Sequence, residues 1–206
     1  MEQNDYLEHL QGIKGLIEER TKFKALSGLS GVIAGIFALL GAYTANHVIY
    51  SSETLIYSDI KSHDFSVEVQ KLMIIAAITL LCAVSTGLFF SMRNAKKKQS
   101  RLWTPAAIKA VINFTIPMAI GGVFVLALLW RGYYILIAPS CLIFYGLALV
   151  NAANFTFSDI KALGIALLIT GAVSLFLPGN GLLLWTFGFG VLHIIYGAIM
   201  YFKYEQ

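Results

Sequence analysis

Charge is scarce in this chain: 13% of its 206 residues are charged and 58% are hydrophobic, with a mean hydropathy of +0.74. So little charge excludes a large soluble catalytic domain and a disordered tail. Cysteine is scarce too. Cys82 and Cys141 both fall in apolar stretches, without Cys-x-x-Cys or metal-ligand spacing. A disulfide-stapled secreted module is therefore excluded, and each thiol reads as a small buried hydrophobe. There is no His-Glu-x-x-His, no phosphate-cradling glycine loop ahead of a basic residue and no pair of acids inside an apolar run. The sequence thus offers no catalytic residues, no metal ligands and no cofactor motif.

What the chain does have is length without charge. Apolar runs lie near 26–47, 72–91, 106–130, 133–152, 160–177 and 182–202, each long enough to cross about 30 Å of hydrocarbon. Lys109 and Lys161 are the basic residues within these limits, each within about one turn of the start of its run, where the stem can snorkel to the interface. A charge at mid-bilayer costs roughly 2.5 to 3.5 kcal/mol. The predicted fold is all-α: a polytopic transmembrane bundle of six spans built of antiparallel hairpins. Residues 1–25 form a cytoplasmic amphipathic helix and 26–206 the membrane domain.

Basic residues set the orientation, because Lys and Arg of short loops stay cytoplasmic. Twelve fall in one set of alternate loops, against Lys61, Lys71 and Arg131 in the other. With acids counted, the inner side carries +5 and the outer −1, which accounts for the chain's +4. Both termini are thereby placed in the cytoplasm. The basic balance is a topology signal with no nucleic-acid meaning. Trp130, Tyr133, Tyr134 and Trp185 then mark the outer interface, and Trp103, Tyr201 and Tyr204 the inner one.

The first 25 residues mix five acids with four bases, unlike a cleaved leader. Tyr6, Leu7, Leu10, Ile13, Leu16 and Ile17 share one helical face. That face can lie on the inner leaflet, dock on a cytoplasmic partner protein, or cover the bundle's own inner end. Arg20, Lys22, Lys24, Arg93, Lys96, Lys97, Lys98 and Arg101 suit anionic lipid headgroups on the cytoplasmic side.

Local signals fix several helix ends. Thr104-Pro105 reads as an N-cap followed by proline at the first helical position. Thr156-Phe157-Ser158-Asp159 resembles a capping box opening the fifth span, and Pro178-Gly179-Asn180-Gly181 is a turn by composition. Pro117 and Pro139 should kink the third and fourth spans by freeing the carbonyls of Asn113 and Ile135. A kink over Asn113 can open a small polar cavity or simply be packed over.

Ile143-Phe144-Tyr145-Gly146 echoes Ile194-Ile195-Tyr196-Gly197 at an offset of 51, and Gly121-Gly122-Val123 echoes Gly171-Ala172-Val173 at 50. These echoes suggest a parallel repeat of hairpins, although an apolar alphabet also makes such matches by chance. The stretch Gly164-Ile165-Ala166-Leu167-Leu168-Ile169-Thr170-Gly171-Ala172-Val173, then Leu177-Pro178 and Gly188 to Gly197, resembles the HdeD-type family of small six-span bacterial membrane proteins. The resemblance covers mainly the last 50 residues or so and rests on glycine spacing and one proline. It implies an inner-membrane role linked to acid or other stress. The charged start and the long first outer loop are not part of that pattern.

Two sets of residues are candidates for function. Ser27, Gly31 and Gly35 repeat every four positions and make a close-packing face, within the chain or between two copies in a homo-oligomer. Cys82, Ser85, Thr86, Asn113, Thr115, Tyr145, Thr170 and His193 fall near mid-depth. His193 is the most informative of these, because imidazole can donate, accept and change charge near neutral pH. With no intramembrane carboxylate to partner it, a histidine hydrogen-bonded to a neighbouring hydroxyl is the first reading, and a relay the second. The functional expectation is a non-enzymatic membrane component. The alternatives are a small-solute transporter or channel using the midplane layer and, third, an intramembrane enzyme with an unrecognised site. A C-terminal reporter active only outside the cytoplasm should stay silent; activity there reverses the orientation.

Overall fold

In the computed structural model, residues 27–51, 67–97 and 103–205 are described, and among them there is helix but no strand. The amphipathic stretch 1–25, with Arg20, Lys22 and Lys24, lies outside the described residues, as do Lys98 and Arg101. The chain is a multi-pass membrane protein: six helices are long and apolar enough to cross a bilayer. They are α1 (Gly28–Ser51), α2 (Val67–Lys97), α3 (Pro105–Arg131), α4 (Ile137–Ala152), α5 (Asp159–Phe176) and α6 (Gly181–Tyr204). Short 3₁₀ turns, Tyr134–Leu136 and Ala153–Phe155, extend α4 at both ends. α6 is continuous but not uniform, with a π-helical run, Thr186–Leu192, in its first half. The apolar faces of Ile78, Leu81, Leu88, Ile116, Ile120 and Phe176 point outward, as an oily solvent allows.

The helix ends follow from the residues that stop them. Thr104 accepts a hydrogen bond from the Ala107 amide at 3.1 Å, with Pro105 opening α3. Gly132, at φ 75°, closes α3 in the left-handed conformation that glycine adopts without cost. Two expectations are corrected. Pro139 does not kink a helix, because α4 begins only at Ile137 and the proline occupies its first turn, where no helical amide bond is due. Nor does Asp159 close a capping box back onto Thr156, whose amide donates to the Ala153 carbonyl at 3.5 Å. Ser158 makes no side-chain cap bond, and the Asp159 carboxylate is taken up by Lys203 and Tyr204 of α6, at 3.0 and 2.7 Å.

The order of packing differs from a row of consecutive hairpins. α3 packs on α4 and α4 on α5, but the main neighbour of α6 is α1 rather than α5, and α2 packs chiefly on α1. Glycine explains the α1–α6 pairing. A Cβ on Gly197 would lie 2.5 Å from the Val32 amide nitrogen and 2.6 Å from the Gly28 carbonyl oxygen. On Gly35 it would lie 2.7 Å from the Gly190 oxygen, and on Gly31 3.2 Å from the Gly197 Cα. The two backbones touch, so any side chain at these positions would push the helices apart. Ser27, expected to extend the same face, instead hydrogen-bonds through its hydroxyl to the Glu205 carboxylate at 3.1 Å. Glu205 also accepts from the Gly28 amide, capping the start of α1 from the far end of the chain.

The α4–α5 crossing uses the same device, since a Cβ on Gly146 would meet the Gly164 carbonyl at 2.8 Å. Both Tyr-Gly echoes therefore place their glycine at a helix crossing. The other echo behaves differently: Gly121 and Gly171 both abut α4, against Phe144 and Ile143. Replacing Gly197 by Ala should cost about 1–3 kcal/mol. Gly87→Ala, where nothing lies within 4 Å, should be neutral or gain up to about 1 kcal/mol. Unfolding equilibria in bicelles check both; equal effects would contradict the packing.

Candidate functional site

The π-helical run and His193, the residue after it, form the candidate site. Widening the helix brings the carbonyl of Gly188, five residues back, within 3.0 Å of His193 Nδ1. A carbonyl only accepts, so Nδ1 carries the proton. The other ring nitrogen, Nε2, lies 3.2 Å from the Tyr145 hydroxyl of α4. In the neutral ring Nε2 has a lone pair, so Tyr145 donates to it. Both nitrogens of a buried imidazole, 7% exposed, are thus satisfied within the chain.

Why the helix widens here is visible in its neighbours. A Cβ on Gly188 would strike Leu142 of α4 and approach Leu167 of α5, and one on Gly190 would strike Leu39 of α1. The run sits where three helices close on α6, and only glycine leaves them room. Around it the rings stack: Phe189 lies on His193 with centroids 5.7 Å apart, Trp185 on Phe189 at 4.9 Å, and Tyr145 against Phe189 at 5.1 Å. Phe114 of α3 meets Tyr145 edge-on at 5.8 Å.

Of the midplane residues, only His193 and Tyr145 are joined from one helix to another. Thr170 is buried and bonds back to the Ala166 carbonyl at 2.8 Å. Thr86 bonds back to Cys82, and Asn113 to the carbonyl of Lys109 at 2.8 Å. Ser85 and Thr115 are exposed on outer faces. Each of these hydroxyls and amides satisfies its own helix or faces outward. Cys82 and Cys141 are free thiols, and no group of three potential metal ligands occurs among the described residues. Arg93, Lys96 and Lys97 are exposed at the end of α2, as headgroup contact requires.

A second polar cluster joins the start of α5 to the end of α6. The Asp159 carboxylate accepts from Lys203 Nζ at 3.0 and 3.1 Å and from the Tyr204 hydroxyl at 2.7 Å. With half of the Lys203 side chain exposed, solvent screens the ion pair and it adds little to stability. Sequence reasoning missed this cluster, the Glu205 cap and the ring stack of Phe189 and Trp185. The close spacing of Gly188 and Gly190 was the available signal for the stack; partners as remote as Ser27 and Glu205 leave none. No family model, curated protein or solved structure matches the chain.

Chemically the arrangement can hold a proton and pin two helices. Tyr145→Phe leaves Nε2 buried without a donor and should destabilise by about 1–3 kcal/mol. In a double-mutant cycle with His193→Gln the two residues should couple by about 0.5–3 kcal/mol. Additive losses, measured by unfolding in bicelles, would contradict the bond.

Proposed function

We propose that the protein is a non-enzymatic component of the bacterial inner membrane, oriented with both termini in the cytoplasm, whose six helices form a closed packed body rather than a solute path. The observation that carries this reading is the full internal satisfaction of His193 by Gly188 and Tyr145, with rings packed around it. A substrate site needs convergent polar groups left free for a ligand; here the most polar group at mid-depth is already occupied. The exposed Arg93, Lys96 and Lys97 support contact with anionic headgroups on the inner side. The glycine pattern of α5 and α6, with its resemblance to HdeD-type proteins, supports a role in acid or other stress. The N-terminal stretch supplies inner-leaflet anchoring or a docking site for a cytoplasmic partner.

One observation favours the transporter reading. A π-helical run beside a buried intramembrane histidine is a feature that functional helices share. Reconstitution in liposomes separates the two. The packed-body reading expects no flux of ions or small polar solutes above that of empty vesicles, and no change with His193→Ala. Flux that disappears in a folded His193→Ala variant would establish transport instead.

A further inference from the structure

We propose that the ring row of α6 is the floor of a site, open sideways to the bilayer, for a neutral quinone: a flat conjugated ring with carbonyl oxygens and an apolar tail. Its place follows from helix geometry. Successive residues of a helix point a little over a quarter turn apart. Gly188 turns to α4 and α5 and Gly190 to α1, so Phe189 between them turns into the angle between α4 and α1. Trp185 and Tyr145 meet Phe189 there at 4.9 and 5.1 Å. α3 lies on α4 and α2 on α1, yet neither packs extensively on α6 or on the other among the described residues, so they leave the angle open. Trp185, Phe189, Leu192, Tyr196, Tyr145 and Phe114 are accordingly only half-buried. The opposite side of α6 carries Val191, Ile195 and Ile199, exposed as ordinary lipid-facing residues.

The Tyr196 hydroxyl is the group that calls for a ligand. α6 runs from Gly181 to Tyr204, so Tyr196 stands about 5 Å from its midpoint, well within the hydrocarbon. Tyr145 bonds His193 and Tyr204 bonds Asp159, but the Tyr196 hydroxyl makes no hydrogen bond among the described residues. Lipid tails offer it none, and a hydroxyl without a partner in oil is costly. Nor is it sealed inside the fold. Ser174 Oγ is the only fully enclosed side-chain oxygen or nitrogen without a partner among the described residues, so the Tyr196 oxygen reaches the surface. Its partner comes from outside the chain.

The surroundings select the class of ligand. A phenol O–H donates to a carbonyl, and a conjugated ring extends the stack that Phe114, Tyr145 and Phe189 begin, with centroids 5.8 and 5.1 Å apart. Charge is excluded. α1 and α4 hold no Asp, Glu, Lys or Arg, and α6 has none before Lys203, so an ionised fatty acid would find no counter-charge at this depth. Phospholipid carbonyls stay at the headgroup level, about 15 Å from the bilayer centre. A carbonyl borne on an oil-soluble ring reaches Tyr196 where theirs do not. His193 remains bonded to Gly188 and Tyr145 throughout, and a ligand entering sideways crosses nothing. Binding here thus goes beyond the packed-body reading, and it stands or falls separately from any flux.

The test uses the full chain in detergent micelles that carry decylubiquinone at graded mole fraction. Quinone retained in excess of protein-free micelles should saturate, and infrared difference spectra should show a carbonyl band lowered in frequency by a hydrogen bond. Tyr196→Phe should abolish that lowering and weaken binding by about two- to tenfold. Because it deletes an unbonded hydroxyl, the variant should unfold no more easily than the parent. Leu192→Trp, which fills the angle, should abolish saturable binding, whereas Ile195→Trp on the exposed side should leave it unchanged. If Leu192→Trp does not fold, Tyr196→Phe and Ile195→Trp carry the distinction. Retention that rises in proportion to quinone without saturating, or equal binding by folded Tyr196→Phe, would overturn the proposal. So would equal competition by decylbenzene, which has a ring and tail but no carbonyl, or a Tyr196→Phe variant less stable than the parent, the sign of a hydroxyl satisfied by water as part of the fold.

Discussion

Contact between the backbones of the first and last spans is the constraint on which the rest of this structure depends. Lipid tails are as apolar as the helices, so there is little hydrophobic drive to hold spans together, and cohesion comes from close approach. Gly31 and Gly35 of α1 provide that approach to Gly197 and Gly190 of α6. Through it α1, with α2 on its far side, is joined to the four-helix remainder. The Glu205 carboxylate on Ser27 and Gly28 ties the start of α1 to the end of α6.

The π-helical run belongs to the same constraint. α6 must accept α1 along one side and α4 and α5 along another, and Gly188 and Gly190 are where those demands meet. Widening the helix there alters the carbonyl pattern, and His193 uses the carbonyl of Gly188 that the wider turn brings into reach. A buried imidazole would be costly in oil if either nitrogen lacked a partner. Gly188 and Tyr145 satisfy both, so a packing requirement and a polar site are met by one local distortion.

The six spans were legible to within a few residues because length without charge is a strong signal when the solvent is hydrocarbon. α2 is the exception. It runs from Val67 to Lys97, well beyond the apolar run at 72–91, because a helix continues into the headgroup region where charged residues are welcome. Thr104 and Gly179 were legible from local turn chemistry: one caps α3, and the other takes φ 91° in the turn before α6. The partner of α6 was not legible, since short loops favour sequential neighbours while backbone fit chose α1. For the candidate site, composition and depth picked out His193 and Tyr145 but not their pairing. They also grouped Ser85, Asn113 and Thr170 with them, because depth says nothing of which face a residue takes. Asn113 and Thr170 turn back on their own helices, and Ser85 faces outward.

If backbone approach between α1 and α6 governs the assembly, covalent continuity between α2 and α3 is dispensable, since those two helices share no extensive packing among the described residues. The most direct measurement is co-purification of the chain expressed as two pieces divided in the link between α2 and α3. The account predicts that the two-span and four-span pieces purify together and that Gly197→Leu separates them. Pieces that never associate, or that remain together with leucine at position 197, would contradict it.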